Sequence, residues 1–452
     1  MPTNDPTPRA FRRCLPAALV GGFGVAVAMW AVGFVTHLPG VDAPPWIVGV
    51  LMLCVHLAGS VGCGRITGSL AVFHVGGMAG LVTAIVNSLI LGSALADPKE
   101  PNALRADAIP LALGYVGFSV IAGAAMALLG RISRRSPGRD EPAEHWLALF
   151  AVISMGAALL VVLSGGIVTS KGAGLAVPDW PTSFSANMVL FPLSKMSGGI
   201  YYEHAHRLFG SLAGFTVLTL LVFTMLVERR AWAKFLVIAV FLLVVIQGVL
   251  GGVRVGSASP TAAAPNSPTI DNELSLPLAL AHGVLGQITF AALCATAAML
   301  STRWRRKTES IDQPAPDSLL VNASWLLIFM LVIQLGLGAV TRHMHQHHAL
   351  FSHMGFALIA FIGAAIVAFR AIGRHRHEPP LYKLGHVVLY CTILQVLLGF
   401  AAFVTVLPYD GTPKSTLGVI LSTAHQANGA ALLGAAAAMF AWTRRLQPRA
   451  QA

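Results

Sequence analysis

Apolar runs of about twenty residues, each closed by a short polar stretch, recur along the whole chain. A run of that length is what an α-helix needs to cross the hydrocarbon core of a bilayer. The pattern predicts spans near 15–36, 46–63, 67–95, 108–130, 146–168, 203–227, 232–255, 276–300, 320–340, 348–370, 382–406 and 415–442. The fold class expected is therefore all-α, a polytopic membrane protein of about twelve transmembrane helices. Two longer polar stretches, "RISRRSPGRDEPAEHW" at 131–146 and "STRWRRKTESIDQPAPDS" at 301–318, carry charge, Pro and Gly and read as linkers. They divide the chain into an N-terminal four-helix membrane module (1–140), a first four-helix half (141–305) and a second (306–452).

The two halves resemble each other. "QGVLGGVRV" from Gln247 aligns with "QVLLGFAAF" from Gln395 at an offset of 148, and "SGGIVTS" from Ser164 with "GLGAVTR" from Gly336. His206 and His353 lie 147 apart, His282 and His425 143 apart. A four-helix unit duplicated in parallel explains the pattern, because an even number of crossings preserves orientation.

Charge then fixes the expected topology. With the N-terminus cytoplasmic, 22 of the 30 Lys and Arg residues fall in inner loops and ends, as the positive-inside rule requires. Both termini are expected in the cytoplasm, in a plasma (inner) membrane, without a cleavable signal peptide. The +12 net charge sits at helix ends, which suits anionic lipid and offers no interleaved patch for nucleic acid. Cys14, Cys54, Cys63, Cys294 and Cys391 show no CxxC or CxxCH spacing. That disfavours a disulfide framework, a zinc site and covalent haem attachment.

The candidate chemistry lies at the outer ends of four helices. His206, His282, His353 and His425 each have a small residue four positions on, Gly210, Gly286, Ala357 and Gly429. One turn deeper on the same face, such a residue leaves room for a flat macrocycle below the imidazole. Helix packing through small residues explains one such pair; four equivalent ones favour function. Two histidines per unit suit axial ligation of one haem per unit. His343 and His345 read as a solvated cluster, and His56 and His74 in the N-terminal module as packing or pathway residues rather than a haem pair.

"GGIYYEHAHRLFGSLAGF" at 198–215 adds an acid. Glu203 lies roughly 60° from His206 and roughly 40° from Arg207 around a helix, whereas His204 points nearly opposite His206. Glu203 is thus a candidate acid or base beside His206. Arg207 is a partner for Glu203 or for a haem propionate, and His204 a bystander.

"GGIVTSKGAGLAVPDWPTSF" (165–184) with "KMSGGIYYEHAHRLFGS" (195–211) resembles the first outer loop and second helix of the haem A synthases, and "LAHGVLGQ" (280–287) and "STAHQANGAALLG" (422–434) resemble their later histidine helices. The resemblance spans roughly 146–442. It implies a membrane oxidoreductase that converts a methyl group of haem O to the formyl group of haem A for terminal oxidase biogenesis. Glu203 would be its essential carboxylate and His206 and His282 the ligands of the substrate haem, with Arg207 at that site. His353 and His425 would bind the iron of a haem b cofactor, and the loop 169–200, with Trp180, would cover the substrate. Candidate partners are a haem O synthase and an electron donor. The outer loop lacks the cysteine pair of one branch of that family, and "TRHMHQHHALFSHMGFALI" lacks its His-Arg pair, leaving His347 and His348 as competitors of His353. A di-haem b electron-transfer cytochrome is the second reading and a transporter the third. A cytochrome gives no reason for Glu203 or for a lid-like loop, and a transporter would bind nearer the midplane.

Overall fold

The computed structural model describes residues 7–67, 72–100, 102–134, 141–257, 274–306, 317–344, 347–406 and 415–446. The parts of both linkers at 135–140 and 307–316, and His345, lie outside the described residues. The chain is all-α. Its helices are α1 (Thr7–Thr36), α2 (Pro45–Ile66), α3 (Val72–Leu95), α4 (Ala108–Ile132), α5 (Ala143–Ser170), α6 (Gly198–Val227), α7 (Ala231–Gly256) and α8 (Ser275–Leu300), followed by the short α9 (Thr302–Arg305), then α10 (Ser318–Met344), α11 (His347–Arg374), α12 (Pro379–Val406) and α13 (Thr416–Arg445). Eleven of them are long and apolar enough to cross a membrane, which makes this a multi-pass membrane protein. The twelfth long helix, α13, has the length but less apolarity. Its middle is rich in Ala and Gly, and it packs against α8, α10 and α12, where small residues let backbones approach.

The helices sort into two compact packing units: Met1–Leu160 with Asp179–Arg229, and Val161–Pro178 with Arg230–Ala452. These units do not coincide with the sequence divisions 1–140, 141–305 and 306–452. Helix α6 packs with the N-terminal four helices, and α7 and α8 pack with α10–α13.

In the first unit, α3 and α4 meet through small residues: a Cβ on Gly123 would stand 2.5 Å from the Gly76 carbonyl oxygen. The Trp30 indole donates to Asn87 Oδ1 at 3.0 Å, and the Asn87 amide donates to the Tyr115 hydroxyl at 2.7 Å. Aromatic rings join α1 to α6. Phe34 stacks on Tyr201 at 5.8 Å and meets Phe209 edge-on at 5.3 Å, while Phe23 lies 5.5 Å from Phe215. The Tyr201 hydroxyl donates to the Phe34 carbonyl at 2.7 Å.

In the second unit, Leu327, Ala364, Val367, Ala368, Leu433 and Met439 form the centre of a core. Trp304, which follows α8, closes one end of it, edge-on to Trp442 at 4.8 Å. Asp317 caps α10 by accepting from the Leu320 amide at 3.0 Å and ties it to the end of α11 through Arg370 (2.8 Å) and His375 (2.8 Å). Large apolar side chains such as Phe235, Leu242, Phe351 and Phe400 stay exposed along these helices, as lipid-facing positions do.

Candidate functional site

The head of α6 lies under a folded loop. Two short antiparallel strands, β1 (Thr182–Ser183) and β2 (Ala186–Asn187), pair Thr182 with Asn187 and Ser183 with Ala186. The turn between them puts Phe184 and Ser185 in the left-handed region, at φ 52° and 63°, which costs non-glycine residues about 1–3 kcal/mol each. Asp179 holds the turn: its carboxylate accepts from the Thr182 hydroxyl (2.5 Å) and from the amides of Phe184 (2.7 Å) and Ser185 (2.8 Å). Burial opposes the charge on Asp179, but these three donors and the nearby Arg207 outweigh it and keep the carboxyl below its usual range. Asp179 is a site residue that the sequence signals only faintly. The signal was present, an Asp with Thr three residues on in "PDWPTSF", which is the spacing of a side-chain-closed turn.

Beneath the turn lies the ion pair. Arg207 Nη2 donates to Glu203 Oε1 at 2.6 Å, and Nη1 donates to the carbonyls of Asp179 (2.6 Å) and Thr182 (3.2 Å). The two side chains are 8% and 5% exposed, so this pair is shut away from water. Of the two partners open to Arg207 at the sequence level, the structure supplies Glu203. His206 stands three residues after Glu203 and is half-buried. His204 departs from expectation. It is fully buried, shares a 3.1 Å hydrogen bond with the Ser183 hydroxyl and lies 5.1 Å from the Phe191 ring, so it secures the loop rather than standing by. The N-terminal helices hold the other side of that loop. Ser93 of α3 donates to the Val189 carbonyl at 3.2 Å, and the Asn187 amide donates to Asn102 Oδ1 at 2.6 Å.

In the second unit His353 of α11 and His425 of α13 face each other, ring centres 6.2 Å apart and planes at 82°. Two imidazoles bound to one iron from opposite sides, at about 2 Å per bond, have ring centres about 6 Å apart. Each ring also lies against the backbone of a glutamine on the preceding helix, Gln334 for His353 and Gln395 for His425. Two buried imidazoles at this spacing fit a bis-imidazole haem. His347 and His348 are exposed at the start of α11 and share in none of this.

Each of these rings rests on a glutamine and a glycine of the preceding helix. On α10, Gln334 Nε2 donates to the His353 carbonyl at 3.0 Å and lies 3.5 Å from its ring Nε2, and a Cβ on Gly338 would stand 2.9 Å from His353 Cε1. On α12, Gln395 Nε2 lies 3.2 Å from His425 Nε2, and a Cβ on Gly399 would stand 2.9 Å from His425 Cε1. Asn428 donates to Gln395 Oε1 at 2.7 Å, which sets the direction of that amide. The arrangement recurs on α7 and α8. A Cβ on Gly251 would stand 3.4 Å from His282 Cε1, and one on Gly286 3.3 Å from Gln247 Oε1. Its counterpart is Gly429, 3.1 Å from Gln395 Nε2 on the same construction. Three copies of Gln-x3-Gly, "QGVLG", "QLGLG" and "QVLLG", therefore precede three of the four histidines. The first and last copies stand out as a repeat in the sequence, whereas the middle one shows its role only in the structure. Metal-binding imidazoles donate their second ring N–H to a neighbour, often a backbone carbonyl, and the backbone of these glutamines is placed to receive it.

In the N-terminal module His56 is 2% exposed, 5.9 Å from the Phe118 ring and against the Ser119 backbone, whereas His74 is exposed. The two do not share an environment.

Residues 148–355 match the family described as COX15-CtaA, cytochrome oxidase assembly protein. The matched segment includes Glu203, His206, Arg207, His282 and His353, and stops before His425. No match is found among curated proteins or among solved structures.

Proposed function

We propose that the chain serves cytochrome oxidase assembly as a haem A synthase, a membrane oxidoreductase that converts a methyl group of haem O to the formyl group of haem A. The observation that carries the reading is the pair His353 and His425, ring centres 6.2 Å apart across two helices. The family match over 148–355 supports it from the sequence side.

His353 and His425 would hold haem b, positioned by Gln334, Gln395 and the two glycines. Haem b would supply one-electron transfer within the membrane. His206 and His282 are assigned to the substrate haem by resemblance. Glu203 is the one carboxylate buried in the first half of α6, so it is the group placed to take or give a proton at its Oε atoms. Arg207 pairs with that carboxylate and aims it while fastening the loop, and the loop keeps bulk water from it. The reading places these sites toward the outer face of a plasma membrane, with haem O arriving from a haem O synthase and an electron donor as redox partner.

An electron-transfer cytochrome would explain the His353 and His425 pair equally well. It would not explain a buried Glu203–Arg207 pair beneath an anchored loop. Pigments extracted from the purified full chain separate the readings. The enzyme yields haem b together with haem O or haem A, and the cytochrome yields haem b alone. A chain carrying no haem at all excludes both.

A further inference from the structure

Helix α10 carries Gln334, Gly338 and Arg342 at intervals of four, one stripe on one face. The first two attend to His353. The third ends in an unusual environment. Arg342 Nη1 donates to Gln426 Oε1 at 2.5 Å, and Nη2 donates to the Gly166 carbonyl at 2.7 Å and to the Ser170 hydroxyl at 2.5 Å. All three acceptors are neutral. Its Nε is buried without a partner. A guanidinium withdrawn from water with no counter-charge is costly, and such groups are normally paired.

A second unsatisfied group lies close by. Thr423 is 5% exposed and its hydroxyl is buried without a partner. A Cβ on Gly166 would stand 3.0 Å from Thr423 Cγ2 and 3.4 Å from Gln426 Oε1, so Thr423 and the residues that bind Arg342 border the same spot. Thr423 and Gln426 flank His425 on α13. The setting thus offers a cation and two spare hydrogen-bond donors, one turn along α10 from the glycine that cradles His353. The first half of the chain places its cation differently: Arg207 directly follows His206, and its charge is met by Glu203. After His353 comes Met354, 45% exposed.

We propose that Arg342, with Thr423 beside it, binds a carboxylate of the haem, one of its propionates, and so supplies in the second half the counter-charge that fixes how the macrocycle is turned between His353 and His425. The inference rests on the haem b reading of that pair. Arg342 is a binding residue for the cofactor's periphery and does not touch the iron.

A chemical double-mutant cycle tests it. Full-length chain carrying His206→Ala and His282→Ala, made without haem, is titrated with haemin and with haemin dimethyl ester, whose propionates are neutral, and the low-spin bis-imidazole absorption is followed. With Arg342 present, esterification weakens binding about ten-fold or more, the value of a hydrogen-bonded charge pair. In Arg342→Gln that difference collapses, because haemin binding falls while ester binding stays, and the retained ester binding shows that the variant is folded. Arg342→Lys, which keeps the charge without the fork, lies between them and gives the same readout should Arg342→Gln not fold. An equal effect of esterification with and without Arg342 overturns the proposal and leaves the haem b reading standing. Absence of the low-spin spectrum with Arg342 in place overturns both.

Discussion

Replacing Arg207 with Met tests whether the ion pair under the loop is what the structure says it is. The substitution removes the 2.6 Å contact to Glu203 and two donations to loop carbonyls at 2.6 and 3.2 Å. With both side chains at 8% or less exposure, water cannot replace the lost partner. Breaking a buried pair from one side costs about 3–5 kcal/mol, since a carboxylate is left uncompensated. The cost of the unpaired charge should vanish when the carboxylate goes too, so Glu203→Gln combined with Arg207→Met should be more stable than Arg207→Met alone by about 2 kcal/mol or more. Unfolding of the purified chain in a graded SDS titration, read by helicity for wild type, both single variants and the double, gives all four corners of the cycle. A cost below about 1 kcal/mol for Arg207→Met, with no recovery in the double variant, is the behaviour of a solvated surface pair and would refute the reasoning.

Gln395→Leu should lower haem b retention by about ten- to a hundred-fold, as loss of a group that orients a metal ligand does; haem b content of the purified variant against wild type measures it, and unchanged content counts against the role given to Gln395. Burial works against ionisation of Asp317, but hydrogen bonds from Arg370, His375 and the Leu320 amide and the charge of Arg370 prevail and bring its carboxyl down to about 2. A folded value below the unfolded one stabilises above about pH 4, and up to about 2 kcal/mol should be lost as pH falls from about 4 toward 2; Asp317→Asn should lose that part of the acid dependence in unfolding titrations. Deleting residues 1–140 removes Phe23, Phe34 and Ser93 from Phe215, Tyr201 and Val189, so the truncated chain should be cleaved in the loop 179–197 under protease that spares the full chain, and equal resistance would return the N-terminal module to a separable role.

The architecture was largely legible because bilayer physics writes it plainly: uninterrupted apolar runs are helices, and their number follows from counting. The exception is instructive. Helix α13 is visible as a helix but weak as a span, because its Ala-rich centre answers to α8, α10 and α12 rather than to lipid. Histidine positions and the Glu203–Arg207 face followed from repeat offsets and helical geometry, which are properties of one helix at a time. What escaped was tertiary. That α6 would pack on α1 through Tyr201, Phe209 and Phe215 depends on a partner some 170 residues away, which no local pattern names. His204 looked idle because it faces away from His206, yet the loop it faces is what it holds. Asp179 shows its role only in the folded loop, because its three donors meet only once the turn closes.

The central claim is that a buried carboxylate on α6 serves oxidation of a haem methyl group in a chain that also holds haem b. Its most direct test is conversion of haem O, by pigment analysis of cells that make haem O and express either the wild-type chain or Glu203→Gln. The account predicts haem A with the wild type, and with Glu203→Gln haem O that accumulates while haem b bound to the purified variant is unchanged. Haem A formed at the wild-type rate by Glu203→Gln, or no haem A from a wild-type chain loaded with haem b, would contradict it.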